Sequence, residues 1–183
     1  MANAFLHSFS APTKSENDFI KIVKASGASL WDDNGKEYID GLANLWLCQV
    51  GHGQQEIIDA VYAQMSELAA YNTFDPFTNG PAAEVAEMIA ARSPHPDGRV
   101  FLACSGSEAV DTAVKMARLV GQHRGSNGEK QIILRRTGGY HGTNLGGTSS
   151  QGIEVNRTGW GDLVPHFIEV SGDDVEDAAI RCG

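Results

Sequence analysis

The sequence predicts an α/β fold with a mainly parallel sheet. Three short apolar runs, FLAC at 101–104, QIILRR at 131–136 and HFIEV at 166–170, alternate with helical or glycine-rich segments. Strands that alternate with helices are typical of βαβ units, in which the strands lie parallel. A stretch that alternates apolar and polar residues precedes them, and it predicts a small antiparallel unit near the amino-terminal end.

The antiparallel unit comes first along the chain. Residues 19–40, FIKIVKASGASLWDDNGKEYID, contain Asn34-Gly35, a dipeptide suited to a type I′ hairpin turn. The region 54–69 is then predicted to be an amphipathic helix, because its apolar residues recur on one helical face. These residues are Ile57, Ile58, Val61, Met65 and Leu68.

The remaining elements follow in order. A second amphipathic helix is predicted after Pro81, because proline is favoured in the first helical turn, and SPHPDG at 93–98 ends it. The run 101–104 is predicted to be a buried strand that leads through a tight turn into a helix extending to Val120. QIILRR and HFIEV are the next two strands, and 173–181 is predicted to begin a last helix.

The composition indicates a soluble globular protein. Hydrophobic residues make up 42% and charged residues 20% of the 183 residues, and the formal net charge is -9. A nucleic-acid groove or an anionic membrane surface would require clustered positive charge, whereas lysine and arginine are scattered here. We therefore expect neither of these partners.

The cysteines suggest a reducing compartment. Cys48, Cys104 and Cys182 are far apart and form no CxxC pair. This spacing disfavours a disulfide framework or a zinc site and favours cysteines that act as small hydrophobic residues. The sequence shows no export signal and no run of about 18 apolar residues. We expect a cytoplasmic protein without a metal.

The turn after FLAC has two interpretations. Ser105-Gly106-Ser107-Glu108 fits a capping box, in which Ser105 accepts from the Glu108 amide and the Glu108 carboxylate accepts from the Ser105 amide. Gly106 and Ser107 also place free amides and a hydroxyl at the positive end of a helix, where a phosphate can bind. The spacing leaves both interpretations open. GxxxxGK[ST], GxGxxG and GxSxG do not occur at this turn. Asp111 is expected to be a first-turn partner of the helix dipole.

A glycine-rich loop follows the next strand. Eight of the 21 glycines lie between residues 138 and 161, which favours a mobile loop or a close approach of backbone to a ligand. In a parallel sheet, this loop and the Gly106-Ser107 turn would both leave the carboxyl ends of their strands, where ligands bind. Tyr140 is either a surface aromatic or a platform for a flat ring. Together these features suggest a flat, phosphorylated cofactor.

Several motifs give the sequence a specific resemblance. SGSEAVDTAVKMAR, GGYHG and LWLCQVGHG, in these positions, resemble the class III aminotransferases that use pyridoxal 5'-phosphate, especially the omega-amino acid (amine) to pyruvate branch. The similarity extends from WDDNGKEYIDG to HFIEV. It implies a homodimeric fold-type I α/β transferase, with residues 1–75 contributing to a small domain and the dimer contact and 76–183 beginning the large cofactor domain.

The resemblance also implies roles for individual residues. Gly106 and Ser107 would bind the cofactor phosphate, Tyr140 would stack on the pyridine ring, and His141 would lie beside it. The family's substrates are an amine or omega-amino acid and a keto acid such as pyruvate.

Three aromatic residues match the family's substrate region. Trp46 resembles a wall of the substrate pocket, although a lone tryptophan of this kind is otherwise a half-buried packing residue. Phe74 and Phe77, in YNTFDPFTN, resemble a segment that reaches the active site of the partner subunit. Without the resemblance, these two residues would be assigned to a loop packed by Pro76.

The family's Schiff-base lysine is expected beyond the carboxyl-terminal end of this sequence. None of the lysines present is in the matching context, so no residue is assigned a catalytic role. We therefore expect an amino-terminal portion of an enzyme that is inactive alone. The alternatives are a short, non-catalytic relative that binds a full-length subunit and an unrelated sugar-phosphate enzyme whose helix terminus holds the phosphate.

Overall fold

The computed structural model describes residues 4–95, 97–124 and 130–171. The chain divides into two compact units, Met1–Thr78 and Asn79–Gly183. The first contains a 3-10 turn at Glu16–Asp18, β1 (Ile22–Ser26), β2 (Ser29–Asp32), β3 (Glu37–Ile39), the single turn α1 (Ala43–Trp46) and α2 (Gln55–Glu67). The second contains α3 (Gly80–Arg92), α4 (Gly106–Arg124), β4 (Ile133–Arg136), α5 (Leu145–Ser150), α6 (Glu154–Arg157) and β5 (Phe167–Val170).

The predicted antiparallel unit is present in the first unit. β1, β2 and β3 pair as an antiparallel sheet in that order. The predicted type I′ turn at Asn34-Gly35 is wrong, because among these two only Gly35 has a positive φ, at 79°. Its amide donates to the Asp32 carbonyl at 3.0 Å. This is the pattern of a type I turn followed by a left-handed glycine.

The buried Asp32 carboxylate organises this hairpin. It accepts hydrogen bonds from the amides of Asn34 and Lys36, both at 2.9 Å, and from the Tyr38 hydroxyl at 2.9 Å. The Lys36 amide, followed by the Tyr38 hydroxyl and the Asn34 amide, keeps the pKa of Asp32 below its ordinary value. The carboxylate therefore substitutes for backbone acceptors where the chain reverses.

The turn α1 is left-handed. Its four residues, none of them glycine, have φ between 47° and 74°, a conformation that costs roughly 1–2 kcal/mol per residue. The Asp40 carboxylate supports the turn by accepting from the Leu42 amide at 3.2 Å and the Asn44 amide at 2.9 Å. The Cys48 amide donates to the Ala43 carbonyl at 2.9 Å and closes the turn.

Both amphipathic helices predicted before residue 100 are present, as α2 and α3. At the start of α3, Asn79 Oδ1 accepts from the Ala82 amide at 3.0 Å, and Pro81 lies in the first turn. Proline is favoured there because it lacks an amide that would need an acceptor.

The second unit contains the predicted parallel pair. β4 and β5 pair in parallel, with Ile133 opposite Phe167 and Arg136 opposite Val170. The predicted strand at 101–104 is absent, because no strand of the described residues hydrogen-bonds with it. The predicted helix at 173–181 lies outside the described residues. No helix within the described part of the chain has the length and apolar character needed to cross a membrane.

A polar core lies beside β4. Residues 147–151 are buried, and Ser149 Oγ donates to the Leu145 carbonyl at 2.6 Å while accepting from the Val164 amide at 3.0 Å. The Arg157 guanidinium donates to the Ser149 carbonyl at 2.5 Å. Because buried polar groups are costly when unpaired, these bonds fix residues 147–151, which lie within the predicted glycine-rich loop.

Candidate functional site

The amino-terminal end of α4 carries the predicted cap in a shifted form. Ser105 Oγ accepts from the Glu108 amide at 3.1 Å, as the capping box requires. The return bond differs from the prediction: Glu108 Oε2 accepts from the amide of Cys104 at 2.9 Å rather than from that of Ser105. Gly106 and Ser107 open the helix, where first-turn amides have no intrahelical acceptor. They are positioned to donate to an external anion.

Ser107 joins this helix end to the loop after β4. Its Oγ accepts from the Thr143 amide at 2.8 Å and lies 3.5 Å from the Thr143 hydroxyl, across a separation of 36 residues. Because Oγ accepts from the amide, its own proton remains available for another acceptor. A hydroxyl donor is therefore held at the positive end of the helix.

Gly142 allows this close approach. Its φ is 111°, and a Cβ at this position would lie 2.5 Å from Ser107 Oγ and 2.8 Å from Ser107 Cα. Real Cβ atoms do not approach other atoms so closely. The loop can therefore contact α4 only because residue 142 has no side chain.

The loop starts at the carboxyl end of β4. The Gly139 amide donates to the Arg136 carbonyl at 3.1 Å. The Gly138 amide donates to the Gly152 carbonyl at 3.0 Å, and the Gly152 amide donates to the Gly139 carbonyl at 2.8 Å. Tyr140 is 52% exposed, and His141 is exposed. The structure thus brings the GGYHG segment to the Gly106-Ser107 turn. The stacking role of Tyr140 and the role of His141 stay predictions.

A second bridge links α4 to the same region. Asp111 lies in the second turn of α4, and its Oδ1 accepts from the Gly147 amide at 2.8 Å. The expectation that Asp111 is a first-turn dipole partner is wrong, because the carboxylate is used to hold the start of α5. Sequence reasoning also missed Thr143. The available signal was the density of glycines, which marks close backbone contacts without naming their partners.

The predicted substrate residues lie in the first unit. Trp46, 77% exposed, is the last residue of the left-handed turn α1. Phe74 is 81% exposed, and Phe77 is 48% exposed and contacts Tyr71 edge to face at 5.3 Å between ring centroids. Within the described residues, no group of three or more histidine, cysteine or acidic side chains could hold a metal ion.

Comparisons with known proteins identify the family of this chain. The family model for class III aminotransferases matches residues 10–181. The putrescine--pyruvate aminotransferase of Pseudomonas aeruginosa is 38% identical over 150 residues, covering 82% of this chain and 33% of the relative. The beta-alanine--pyruvate aminotransferase of the same organism is 37% identical, covering 88% of this chain and 37% of the relative.

Solved structures show the same relationship. An amine transaminase from an uncultivated Pseudomonas species, in its PLP-bound form, superposes with a TM-score of 0.84 and 29% identity over 92% of this chain and 38% of its own. An omega-transaminase from Pseudomonas jessenii, in complex with PMP, gives a TM-score of 0.86 and 31% identity over 92% of this chain and 37% of its own.

The fold is therefore the α/β fold of the PLP-dependent transaminases, over the 37–38% of the solved chains that this chain covers. The chain belongs to the class III aminotransferase family. It spans about a third of the length of the curated relatives it matches.

Proposed function

We propose that this chain is the amino-terminal part of a pyridoxal-phosphate-dependent transaminase. The reaction would transfer an amino group from an amine or omega-amino acid to a keto acid such as pyruvate. The observation that carries the proposal is the contact between the two halves of the predicted cofactor site, in which Thr143 and Gly142 rest on Ser107. Two relatives are named for putrescine or beta-alanine as the amino donor and pyruvate as its partner, and these names support an amine or omega-amino acid and a keto acid as substrates.

The residues present fit a phosphorylated aromatic cofactor. The start of α4 offers the amides of Gly106 and Ser107 together with the Ser107 hydroxyl, which are donors suited to a dianion. Gly142 keeps the loop close enough to enclose such a group, because a Cβ there would collide with Ser107. The exposed phenol ring of Tyr140 follows the same strand and can cover a flat heterocycle.

Pyridoxal phosphate supplies the electron sink that this chemistry needs. In the proposed site, Gly106 and Ser107 bind its phosphate, Tyr140 stacks on its ring, and His141 lies beside the ring. These residues hold and orient the cofactor and move no proton. No lysine of this chain is assigned a catalytic role.

The substrate and assembly roles extend the proposal to the first unit. Trp46 would form a wall of the substrate pocket, and Phe74 and Phe77 would reach the active site of a partner subunit in a homodimer. Residues 1–75 would belong to the small domain and the dimer contact, and 76–183 would begin the large cofactor domain. The division of the chain after Thr78 is compatible with this assignment. We propose a cytoplasmic location.

The experiment compares Ser107→Ala with Ser105→Ala in the protein expressed at the full length of its reading frame. Loss of the Ser107 bond to phosphate should cost about 1.5–3 kcal/mol, because one partner is charged. The affinity for pyridoxal phosphate should therefore fall about 10- to 150-fold. Ser105→Ala removes the helix cap and should lower stability by about 1 kcal/mol with little effect on cofactor affinity.

The readouts are cofactor titration by absorbance, thermal unfolding, and alanine formation from pyruvate with an amine donor. Equal cofactor affinities for Ser107→Ala and the unsubstituted protein would show that Ser107 only ties the loop to α4. Absence of both cofactor binding and alanine formation in the unsubstituted protein would overturn the transaminase assignment.

A further inference from the structure

A cysteine, a histidine and an aspartate lie in line in the first unit. Cys48 Sγ is 3.6 Å from His52 Nδ1, and His52 Nε2 is 2.8 Å from Asp40 Oδ2. This order of groups is a nucleophile, a base and a carboxylate that orients the base. None of the three residues belongs to the cofactor or substrate positions described above.

The backbone fixes each member independently. His52 exchanges two hydrogen bonds with Gly27, at 2.8 and 2.9 Å, which attach it to the turn between β1 and β2. Cys48 is held by the hydrogen bond that its amide donates to the Ala43 carbonyl. Asp40 follows β3, and its amide donates to the Ala28 carbonyl at 2.8 Å. Cys48 and Asp40 therefore lie at opposite nitrogens of one imidazole ring, that of His52.

The carboxylate determines how the imidazole can act. The side chain of Asp40 is 7% exposed, and that of His52 is 19% exposed. The hydrogen bond from His52, with the amides of Asn44 and Leu42, keeps the pKa of Asp40 below its ordinary value, so that Asp40 is an acceptor at neutral pH. An Nε2–H that donates to Asp40 leaves the Nδ1 lone pair facing the Cys48 thiol. His52 is thus set to accept the thiol proton.

The backbone also distinguishes between reactions of this thiol. Acyl transfer uses amide donors near the nucleophile, commonly including the amide of the nucleophile itself, to stabilise an oxyanion. The Cys48 amide already donates to Ala43, and the Gly51 amide donates to the Cys48 carbonyl at 3.1 Å. Thiol–disulfide exchange develops no oxyanion. It needs only an activated thiol and a path by which the disulfide reaches the thiol sulfur. Cys48 is half-buried, so a small disulfide can reach it.

We propose that Cys48, His52 and Asp40 form a thiol-modification site at which Cys48 exchanges with low-molecular-weight disulfides. The Cys48 proton moves to His52 Nδ1 as Sγ attacks one sulfur of the disulfide. The disulfide S–S bond breaks, a new Sγ–S bond forms, and the leaving thiolate takes the proton from the imidazolium. Cys48 is oxidised to a mixed disulfide, and the other half of the disulfide is reduced to a thiol. This exchange does not rest on the proposed transaminase function.

The experiment uses the purified protein and 2-hydroxyethyl disulfide, a neutral probe. Peptide-resolved mass spectrometry follows mixed-disulfide formation at Cys48 and at Cys104, which is exposed and serves as the internal control thiol. Exposure alone predicts that Cys104 reacts faster. General-base assistance by His52 predicts that Cys48 reacts faster, by on the order of 100-fold. A Cys104 rate equal to or above that of Cys48 would overturn the proposal without any variant.

Two variants test the roles of the base and the carboxylate. His52→Gln keeps an amide donor for Asp40 but no proton acceptor, and it should lower the Cys48 rate to about that of an ordinary thiol. Asp40→Asn removes the orienting carboxylate and should also slow Cys48, with the Cys104 rate unchanged. A purely structural role for Asp40 would expose Cys48 and speed its reaction. An unchanged Cys48 rate in His52→Gln, or a faster one in Asp40→Asn, would contradict the proposed site.

Discussion

Gly142→Ala is the most direct perturbation of the candidate cofactor site. The φ of 111° at Gly142 is strained for any residue with a side chain, which costs about 1–3 kcal/mol. The added Cβ would also lie 2.8 Å from Ser107 Cα, a backbone atom that a side-chain rotation cannot move. Relieving such a contact costs about 1–3 kcal/mol more. The loop should therefore move away from the start of α4.

Gly138→Ala is the matched control. Gly138 lies in the same loop with a φ of 75°, and a Cβ there would meet nothing within 4 Å. This variant carries the backbone cost alone, about 1–2 kcal/mol. Gly142→Ala should lower Tm by roughly 4 °C or more, since 1 kcal/mol corresponds to about 2–4 °C for a protein of this size. Gly138→Ala should lower Tm by about half as much.

Two assays read the result. Thermal unfolding measures stability, and an absorbance titration measures affinity for pyridoxal phosphate. Because Gly142→Ala displaces the loop that positions the Ser107 hydroxyl, cofactor affinity should fall by about 10-fold or more, which corresponds to about 1.4 kcal/mol. Gly138→Ala should retain its affinity. If the two variants match in both assays, the close contact between Gly142 and Ser107 does not hold the site.

Three further predictions test other contacts. Asp111→Ala should lower the free energy of unfolding by about 1–3 kcal/mol, because the Gly147 amide loses its acceptor, and Asp111→Asn should recover most of this loss; denaturant titration measures both. The pKa of Asp32 is lowered in the fold from 3.8, so its stabilising contribution is present above that pH and is lost as the pH falls through and below it. Asp32→Asn should therefore flatten the acid limb of a stability–pH curve, and an unchanged limb would contradict the assignment. Gly51→Ala should destabilise more than Gly53→Ala in thermal unfolding, because both have positive φ but only at Gly51 would a Cβ lie 3.1 Å from a backbone oxygen.

The sequence was most informative where local pattern alone determines structure. QIILRR and HFIEV form β4 and β5 in parallel, and the helical periodicity after Gln54 and Pro81 corresponds to α2 and α3. The run 101–104 has the same apolar character as the other two strands. It forms no strand because a strand requires a hydrogen-bonding neighbour, and apolar character does not identify one.

Turn types were less predictable than turn positions. Asn34-Gly35 marks the hairpin correctly, but the dipeptide fits both a type I′ turn and a type I turn followed by a left-handed glycine. The Asp32 carboxylate accepts from the Asn34 and Lys36 amides and thereby selects the second form. Such side-chain acceptors depend on register, which the composition of a turn does not specify.

In the candidate site too, contacts between residues far apart in the sequence could not be predicted. Ser105 is identified as a cap because its hydroxyl and the Glu108 amide that donates to it are only three residues apart. The bond between Ser107 and Thr143 spans 36 residues, so no periodicity or spacing rule indicates it. The sequence motifs therefore mark which residues bear chemistry, and the fold determines which of them meet.

Asp40 shows how one side chain can couple two features of the first unit. Its Oδ2 accepts from the Asn44 amide in the left-handed turn that ends at Trp46 and from His52 Nε2. A change at Asp40 therefore acts on the turn and on the environment of Cys48 together. His52→Gln alters only the second of these contacts, because the Asn44 bond remains. Comparing the two variants separates support of the turn from activation of the thiol.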